Sequence, residues 1–202
     1  MTTTPAHAIA DNAALIVIDV QEGFADSGYW GPRNNPAADA NVEALIREWE
    51  ATGRPIVVVQ HDSSSPASPL HPAGAGNDLK PYVRRVASAL HVRKTVNSAF
   101  YGTPDLGEWL RASGISQIVI TGIQTNMCCE TTARMAGNLG YDVLFAADAT
   151  HTFDLAGLGD DVMTADELAR ATVTNLQGGG FATVVSTADL LAASAAAAVP
   201  VG

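Results

Sequence analysis

Two adjacent cysteines lie where an apolar segment gives way to a helical pattern. The stretch from Gly122 to Arg134 reads Gly-Ile-Gln-Thr-Asn-Met-Cys-Cys-Glu-Thr-Thr-Ala-Arg. The apolar segment 117–123 predicts a strand, and a helix is expected over residues 127–139. A thiol in the first turn of a helix faces unpaired backbone N–H groups and the positive end of the helix dipole, which favour the thiolate. The pattern therefore indicates a cysteine nucleophile at Cys128, provided that another group helps to lower the pKa of its thiol.

Two ionisable residues elsewhere also follow predicted strands. Asp19 ends the apolar run Leu-Ile-Val-Ile-Asp-Val-Gln, and Lys94 stands in His-Val-Arg-Lys-Thr-Val-Asn-Ser-Ala-Phe. The carboxyl ends of parallel strands meet at the edge of the sheet where ligands bind, so the side chain of Asp19 is expected there. Each residue also has a structural interpretation, because Asp19 can cap a loop and Lys94 can be an ordinary surface lysine.

Periodicity alone does not assign the roles of the two cysteines, since a free cysteine usually packs in the interior. One helical stripe of small residues, suited to lying on a sheet, consists of Cys129, Ala133, Ala136 and Gly140. A second possible stripe consists of Cys128, Thr132, Met135 and Leu139. We expect Cys129 to be the packing residue.

Apolar segments of strand length alternate with helical patterns along the whole chain. The predicted strands are 14–20, 55–60, 90–92, 117–123, 142–147 and 181–186. Most of them lack polar interruptions, which is typical of parallel strands covered on both faces. The alternation predicts an α/β fold, a three-layer α/β/α sandwich around a doubly wound, mostly parallel six-stranded sheet.

Start and stop signals mark several of the helices. Thr103-Pro104 predicts a helix with proline at its first position, and Thr164-Ala-Asp-Glu167 predicts a capping box for a helix that ends at 178–180. Segments 21–36, 62–78 and 150–163 are expected to be irregular loops. We predict one domain over residues 1–202, with a core of about 12–191 and flexible tails.

The composition and charge of the chain argue against several classes of protein. The 202 residues are 47% hydrophobic and 16% charged, with a net charge of -10 and no long basic cluster, which argues against nucleic-acid binding. There is no leader-like start and no membrane-length apolar run, so a cytoplasmic protein that does not bind membranes is expected. The two adjacent cysteines and scattered histidines predict neither a structural disulfide nor a structural zinc site.

Three motifs in this order resemble the isochorismatase-like cysteine hydrolase family, over about residues 14–190. They are Ile-Asp-Val-Gln-x-x-Phe, Lys-x-x-x-Ser-Ala-Phe and Gly-Ile-Gln-Thr-Asn-Met-Cys-Cys-Glu-Thr-Thr. The resemblance implies a catalytic triad of Asp19, Lys94 and Cys128. It also implies a cis Ile123-Gln124 peptide bond, with the N–H groups of Gln124 and Cys128 forming an oxyanion hole.

Resemblance and chemistry together predict a cysteine-dependent amidohydrolase. Asp19 would take the thiol proton, Cys128 would attack a carbonyl carbon, and water would hydrolyse the thioester. A further run, Asp148-Ala-Thr-His-Thr-Phe, and Gln-His-Asp-Ser at 60–63 are most similar to streptothricin hydrolase and uncharacterised amidohydrolases, which implies a small amide or lactam substrate. The family also implies a homodimer or homotetramer.

No metal or other cofactor is predicted. Metal-binding members of the family carry an Asp-x-His pair after the second strand, whereas this chain has Gln60-His61-Asp62, so an ion held by His61, Asp62 and His71 is the minor alternative. Pocket walls of small-molecule sites are mostly apolar with a few polar groups. The predicted substrate-binding residues are Phe24, Gln21, Trp30, Tyr101, Gln124 and Phe153, with Phe24 the first choice.

The sequence is also compatible with functions other than amide hydrolysis. The family also contains isochorismatases and other hydrolases that do not cleave amides, and a member that has lost catalysis would be a binding protein. A dinucleotide-binding protein is disfavoured because no Gly-x-Gly-x-x-Gly follows a strand, and redox chemistry of the vicinal thiols is disfavoured similarly.

Overall fold

A six-stranded parallel sheet organises the part of the chain that the computed structural model describes, residues 7–197. The predicted flexible tails fall partly on residues 1–6 and 198–202, which lie outside the described range. The sheet order is β3-β2-β1-β4-β5-β8, and each neighbouring pair is parallel. Its strands are β1 (Ala14–Ile18), β2 (Ile56–His61), β3 (Leu90–Lys94), β4 (Gln117–Ile123), β5 (Asp142–His151) and β8 (Thr183–Val185).

Helices connect these strands and cover both faces of the sheet. They are α1 (Ser27–Trp30), α2 (Ala38–Thr52), α3 (Pro81–Arg84), α4 (Leu106–Ala112), α5 (Glu130–Asn138), α6 (Ala165–Gly178) and α7 (Thr187–Ala197). Short 3-10 helices occupy Glu22–Ala25, Ala75–Asn77 and Ala99–Tyr101, and a π-helical turn occupies Thr125–Cys129. The predicted three-layer α/β/α sandwich is confirmed.

The core consists of two apolar layers, one on each face of the sheet. Side chains alternate along β1, so that Ile16 and Ile18 join one layer while Leu15 and Val17 join the other. Full burial of such a side chain contributes about 1.5–3 kcal/mol. Because both faces need apolar side chains, these strands have the uninterrupted apolar sequences from which they were predicted.

Two local predictions were wrong in detail. Helix α4 begins at Leu106, not at Pro104, because the carboxylate of Asp105 accepts a hydrogen bond from the N–H of Glu108 and caps the helix. The segment predicted as a loop from 150 begins inside β5 and contains a two-stranded antiparallel ribbon, β6 (Leu155–Ala156) with β7 (Val162–Met163). By contrast, the capping box of Thr164 and Glu167 is formed as predicted.

A glycine lets β4 approach β1 closely near the end of both strands. Gly122 has φ +127, and a Cβ at this position would lie 2.0 Å from the carbonyl oxygen of Ile18. An L-residue would therefore be excluded both by backbone conformation and by space. This close approach brings the segments after β1 and β4 side by side at the point where the strand order reverses, which is where doubly wound sheets bind ligands. Within residues 7–197, no helix combines the length and apolar character that crossing a membrane requires.

Candidate active site

The three residues of the predicted triad converge at the carboxyl edge of the sheet. The Nζ atom of Lys94, the last residue of β3, lies 2.6 Å from Oδ2 of Asp19 and 3.3 Å from Sγ of Cys128. Asp19 follows β1 directly, and Cys128 follows β4. All three residues are buried. Segments far apart in sequence thus place an acid, an ammonium and a thiol within hydrogen-bond reach of one another.

The two carboxylate oxygens of Asp19 have different surroundings. Oδ2 accepts the hydrogen bond from Lys94, whereas the buried Oδ1 has no hydrogen-bond partner among residues 7–197. The backbone of Asp19 has φ +52, a left-handed conformation that aspartate tolerates better than most residues. An unpaired buried carboxylate oxygen is costly to keep, and it is a ready acceptor for a proton.

Cys128 lies in a π-helical turn, not in the first turn of the α-helix as predicted. The turn spans Thr125–Cys129, and α5 begins at Glu130. Inserting this wider turn moves the helix start two residues beyond the thiol, and π-helical turns occur frequently at functional sites. Cys129 has no solvent-exposed surface and packs in the core beneath the site.

The thiol of Cys128 is held in its neutral form, which corrects the expected thiolate. Burial raises the pKa of this thiol well above its ordinary value, and the negative charge of Asp19 raises the pKa further. Lys94 acts in the opposite direction and does not outweigh these effects. A nucleophilic Cys128 would therefore have to lose its proton, and the carboxylate of Asp19 is an adjacent group that could accept it.

Lys94 is a charged ammonium in this buried site. Burial disfavours its charge, yet the negative charge of Asp19 and the hydrogen bonds to Asp19 and Cys128 raise the pKa of Lys94. A third contact, unpredicted from the sequence, joins Nζ to Nδ1 of His61 at 3.2 Å. Burial and then the charge of Lys94 lower the pKa of His61, so its ring is neutral. Its place at the end of β2, beside β1 and β3, was the signal that it could reach the triad.

A metal ion has no room among these groups while Lys94 is in place. One atom each of Asp19, His61 and Cys128 lie within 4.8 Å of one another, a donor set that can bind metal. The ammonium of Lys94 already contacts all three residues. The alternative set of His61, Asp62 and His71 is not assembled in residues 7–197, and Asp62 instead forms an ion pair with Arg93.

A cavity of about 220 Å³ opens beside Asp19 and Cys128. Three of the predicted substrate-binding residues, Phe24, Trp30 and Gln124, line it. The remaining wall is formed by residues that were not predicted as substrate-binding: His61, Leu70, Asn97 and Met127. Asn97 stands between Lys94 and Ser98 in one of the motifs, and its Oδ1 lies 3.7 Å from Sγ of Cys128. The wall is mostly apolar, with a few polar groups near the thiol.

Three predicted substrate-binding residues do not line this cavity. Gln21 is fully buried, and its amide is occupied by the backbone of His61 and Asn77. Tyr101 is 72% exposed because the 3-10 helix that carries it turns its ring to the surface. Phe153 packs behind the wall, with its ring stacked on the rings of Phe24 and Trp30 at 6.1 and 5.5 Å.

The loop after β2 brings Leu70 to the cavity and is fastened by Asn77. The Nδ2 atom of Asn77 donates to the carbonyl oxygens of His61 and Leu70 at 2.9 and 2.8 Å and to Oδ1 of Asp62 at 3.1 Å. Its own Oδ1 accepts a hydrogen bond of 2.9 Å from Gln60. One buried amide therefore ties both ends of the loop to the end of β2.

The bend between β4 and the π-helical turn contains a cis peptide bond between Ile123 and Gln124, as the resemblance implied. The carbonyl of Gln124 accepts hydrogen bonds from the N–H groups of Met127 and Cys129. Gln124 and Cys128, which flank this bend, both line the cavity. The predicted oxyanion hole, formed by the N–H groups of Gln124 and Cys128, lies in this bend.

Known proteins resemble this chain over most of its length. Residues 13–189 match the family model described as the isochorismatase domain. The isochorismatase family protein YrdC of Bacillus subtilis is 37% identical over 184 residues, which is 90% of this chain and 95% of that protein. A crystal structure of an isochorismatase-family protein from Chromobacterium violaceum superposes with a TM-score of 0.88 at 36% identity, covering 96% of this chain and 100% of that one. Streptothricin hydrolase of Streptomyces noursei is 32% identical over 171 residues, covering 82% of this chain and 66% of that protein.

Proposed function

The chain belongs to the isochorismatase family, and we propose that this hydrolase is a cysteine-dependent amidohydrolase that cleaves a C–N bond of a small amide or lactam. One observation carries the proposal: the thiol of Cys128 borders a cavity and lies close to a buried carboxylate, one oxygen of which has no hydrogen-bond partner in the described part of the chain. A nucleophile beside its own base is the arrangement that covalent catalysis requires.

The reaction begins with a neutral thiol. Oδ1 of Asp19 takes the proton as Sγ of Cys128 attacks the substrate carbonyl carbon, forming a C–S bond and an oxyanion. Asp19 then gives this proton to the amide nitrogen, the C–N bond breaks, and an amine or ammonia leaves. Water attacks the thioester, Asp19 takes its proton, and the C–S bond breaks. The carboxylic acid leaves, and the thiol recovers a proton from Asp19.

Lys94 and the bend after β4 support the charges that form along this path. The ammonium of Lys94 offsets the charge of Asp19 and stabilises the developing thiolate through the 3.3 Å contact with Sγ. The N–H groups of Gln124 and Cys128 are proposed to hold the oxyanion, and one such donor contributes about 3 kcal/mol.

The thiol itself favours amide chemistry over isochorismatase chemistry. An acyl-enzyme needs a nucleophile, whereas resolving a vinyl ether needs proton transfer from an acid and no thiol. The similarity to streptothricin hydrolase supports the same conclusion. The volume of about 220 Å³ limits the buried portion of the substrate to a small molecule or one end of a larger one.

The test is a screen of small amides, carbamoyl compounds and lactams, with ammonia and amine release followed separately. For any substrate that turns over, intact-mass spectrometry of the quenched enzyme should show an acyl adduct on Cys128. Cys128→Ser should reduce turnover by about a thousandfold or more, whereas Cys129→Ser, the matched control, should remain active. Turnover by Cys128→Ser at the rate of the unaltered enzyme would refute the thioester pathway.

A further inference from the structure

The ammonium of Lys94 has three hydrogens, and three acceptors surround it. The acceptors are Oδ2 of Asp19 at 2.6 Å, Nδ1 of His61 at 3.2 Å and Sγ of Cys128 at 3.3 Å. A protonated amine donates in three directions and accepts in none. Each N–H of Lys94 therefore has one partner, and the mechanism above uses only two of the three.

Contact with an ammonium determines the tautomer of His61. Because Lys94 is only a donor, Nδ1 of His61 has to present its lone pair, and the proton of the neutral ring belongs on Nε2. The ring is therefore oriented by the donor that lies on its Nδ1 side.

The backbone of His61 is held without help from its ring. Its N–H donates to Oε1 of Gln21 at 2.9 Å, and its carbonyl accepts from Nε2 of Gln21 and Nδ2 of Asn77 at 3.0 and 2.9 Å. Replacing the ring therefore leaves the end of β2 in place. A substitution at position 61 can therefore remove the lone pair at Nδ1 without moving the backbone.

We propose that His61 is a positioning residue for Lys94, and that an acceptor at Nδ1 is what aims the ammonium at the thiol. Without an acceptor at this position, one N–H of the buried ammonium loses its partner, and Lys94 turns toward other acceptors and away from Sγ of Cys128. The effect on turnover rests on the proposed amidohydrolase function, whereas the effect on the thiol does not.

Asparagine, glutamine and leucine at position 61 separate this role from simple packing. The Oδ1 atom of asparagine is bonded to Cγ, as Nδ1 of histidine is, and so occupies nearly the same place. Glutamine carries its oxygen one atom further out, and leucine has no acceptor. We expect His61→Asn to keep kcat within about threefold, and His61→Gln and His61→Leu to lower kcat about tenfold or more, with smaller changes in KM. His91→Asn is the matched control, because His91 on β3 contacts Gln60 outside the cavity.

A second measurement needs no substrate and so separates this inference from the proposed function. In a Cys129→Ser background, the rate of Cys128 alkylation by iodoacetamide at fixed pH should fall about tenfold in His61→Leu and recover in His61→Asn. Equal alkylation rates in all variants would overturn the positioning role, even if amide turnover is established. The expected pattern of alkylation rates would uphold it, even if no amide is cleaved. Loss of activity on chelation with EDTA, restored by Zn²⁺, would also overturn it, because His61 would then be a metal ligand.

Discussion

Asp19 and Lys94 form an ion pair whose two side chains have no solvent-exposed surface, with Nζ 2.6 Å from Oδ2. Removing one partner of such a pair leaves a buried charge without an opposite charge beside it, whereas removing both partners leaves no buried charge. The stability of the fold and the chemistry of the site therefore depend on the same contact, but in ways that mutation can separate.

Lys94→Met should lower the free energy of unfolding by about 3–5 kcal/mol, because it leaves the buried carboxylate of Asp19 without its ion-pair partner. The double variant with Asp19→Asn should recover most of that loss, since asparagine also tolerates the φ of +52 at position 19. Urea denaturation followed by circular dichroism measures both. Neither variant should hydrolyse substrate, and a single variant as stable as the unaltered protein would show that the pair is not a buried charge pair.

Asp19→Asn should lower the pKa of the Cys128 thiol. In the unaltered site, burial and then the negative charge of Asp19 raise that pKa, while Lys94 lowers it. The Asn variant keeps Lys94 and loses the opposing charge. Thiolate absorbance in a Cys129→Ser background, followed against pH, should therefore rise at lower pH in Asp19→Asn. A thiolate already present at neutral pH in the unaltered enzyme would contradict the buried neutral thiol.

His151 should make the protein less stable in acid. Its ring is buried with neither nitrogen hydrogen-bonded within the described residues, and burial, assisted by the charges of Arg33 and Lys80, lowers its pKa to about 3. The unfolded chain, with an ordinary pKa near 6.5, then binds more protons than the folded one between pH 6.5 and pH 3. Stability is therefore full above pH 6.5 and falls as the pH drops through this window, by up to roughly 5 kcal/mol.

Urea midpoints between pH 7 and pH 4 test this dependence. His151→Phe should flatten the slope, because phenylalanine keeps the aromatic contact with Phe153 and has no proton to gain. His71→Gln, in the loop after β2, should keep the slope of the unaltered protein. An equal slope in His151→Phe would assign the acid sensitivity to other groups.

Trp30→Ala should weaken substrate binding more than it slows the chemical step. The indole lines the cavity, contacts the ring of Phe24 at 5.0 Å between centroids, and donates from Nε1 to the carbonyl of Gly23. Losing this wall should raise KM about tenfold, with kcat changed less. Tyr101→Ala is the control, since that ring is mostly exposed. Equal effects of the two substitutions would place the substrate elsewhere.

The sheet was predictable because it follows from rules that involve the whole chain, whereas the grouping of Asp19, Lys94 and Cys128 was predicted from the resemblance of three motifs to a known family. Continuous apolar segments specify parallel strands, and parallel strands deliver the residues that follow them to a single edge. The predicted range of β4 was correct, and the ends of the other strands were off by at most four residues, most at β5, which continues through His151. Those errors did not alter which side chains meet.

Features that depend on local geometry were not predictable. The π-helical turn at Thr125–Cys129 has no sequence signal distinct from that of an α-helix, so the helix start was placed too early. The sign of the thiol pKa shift depends on how deeply Cys128 is buried and on the distance to Asp19, and neither is visible in the sequence. Gln21 and Tyr101 were candidates by residue type, but the side chain of Gln21 faces the backbone of β2 and that of Tyr101 faces the solvent.

Asn77 holds the loop after β2 in place, so the wall of the cavity can be altered separately from the reactive residues. Because one buried amide anchors the loop after β2 at both ends, the residues between those anchors can vary in size and polarity without disturbing the acid, the ammonium or the thiol. Leu70 stands inside that interval and forms part of the wall. Diversifying positions 63–69 together with Leu70, while leaving Asn77 untouched, is thus a direct route to variants with new selectivity on an unchanged reactive centre.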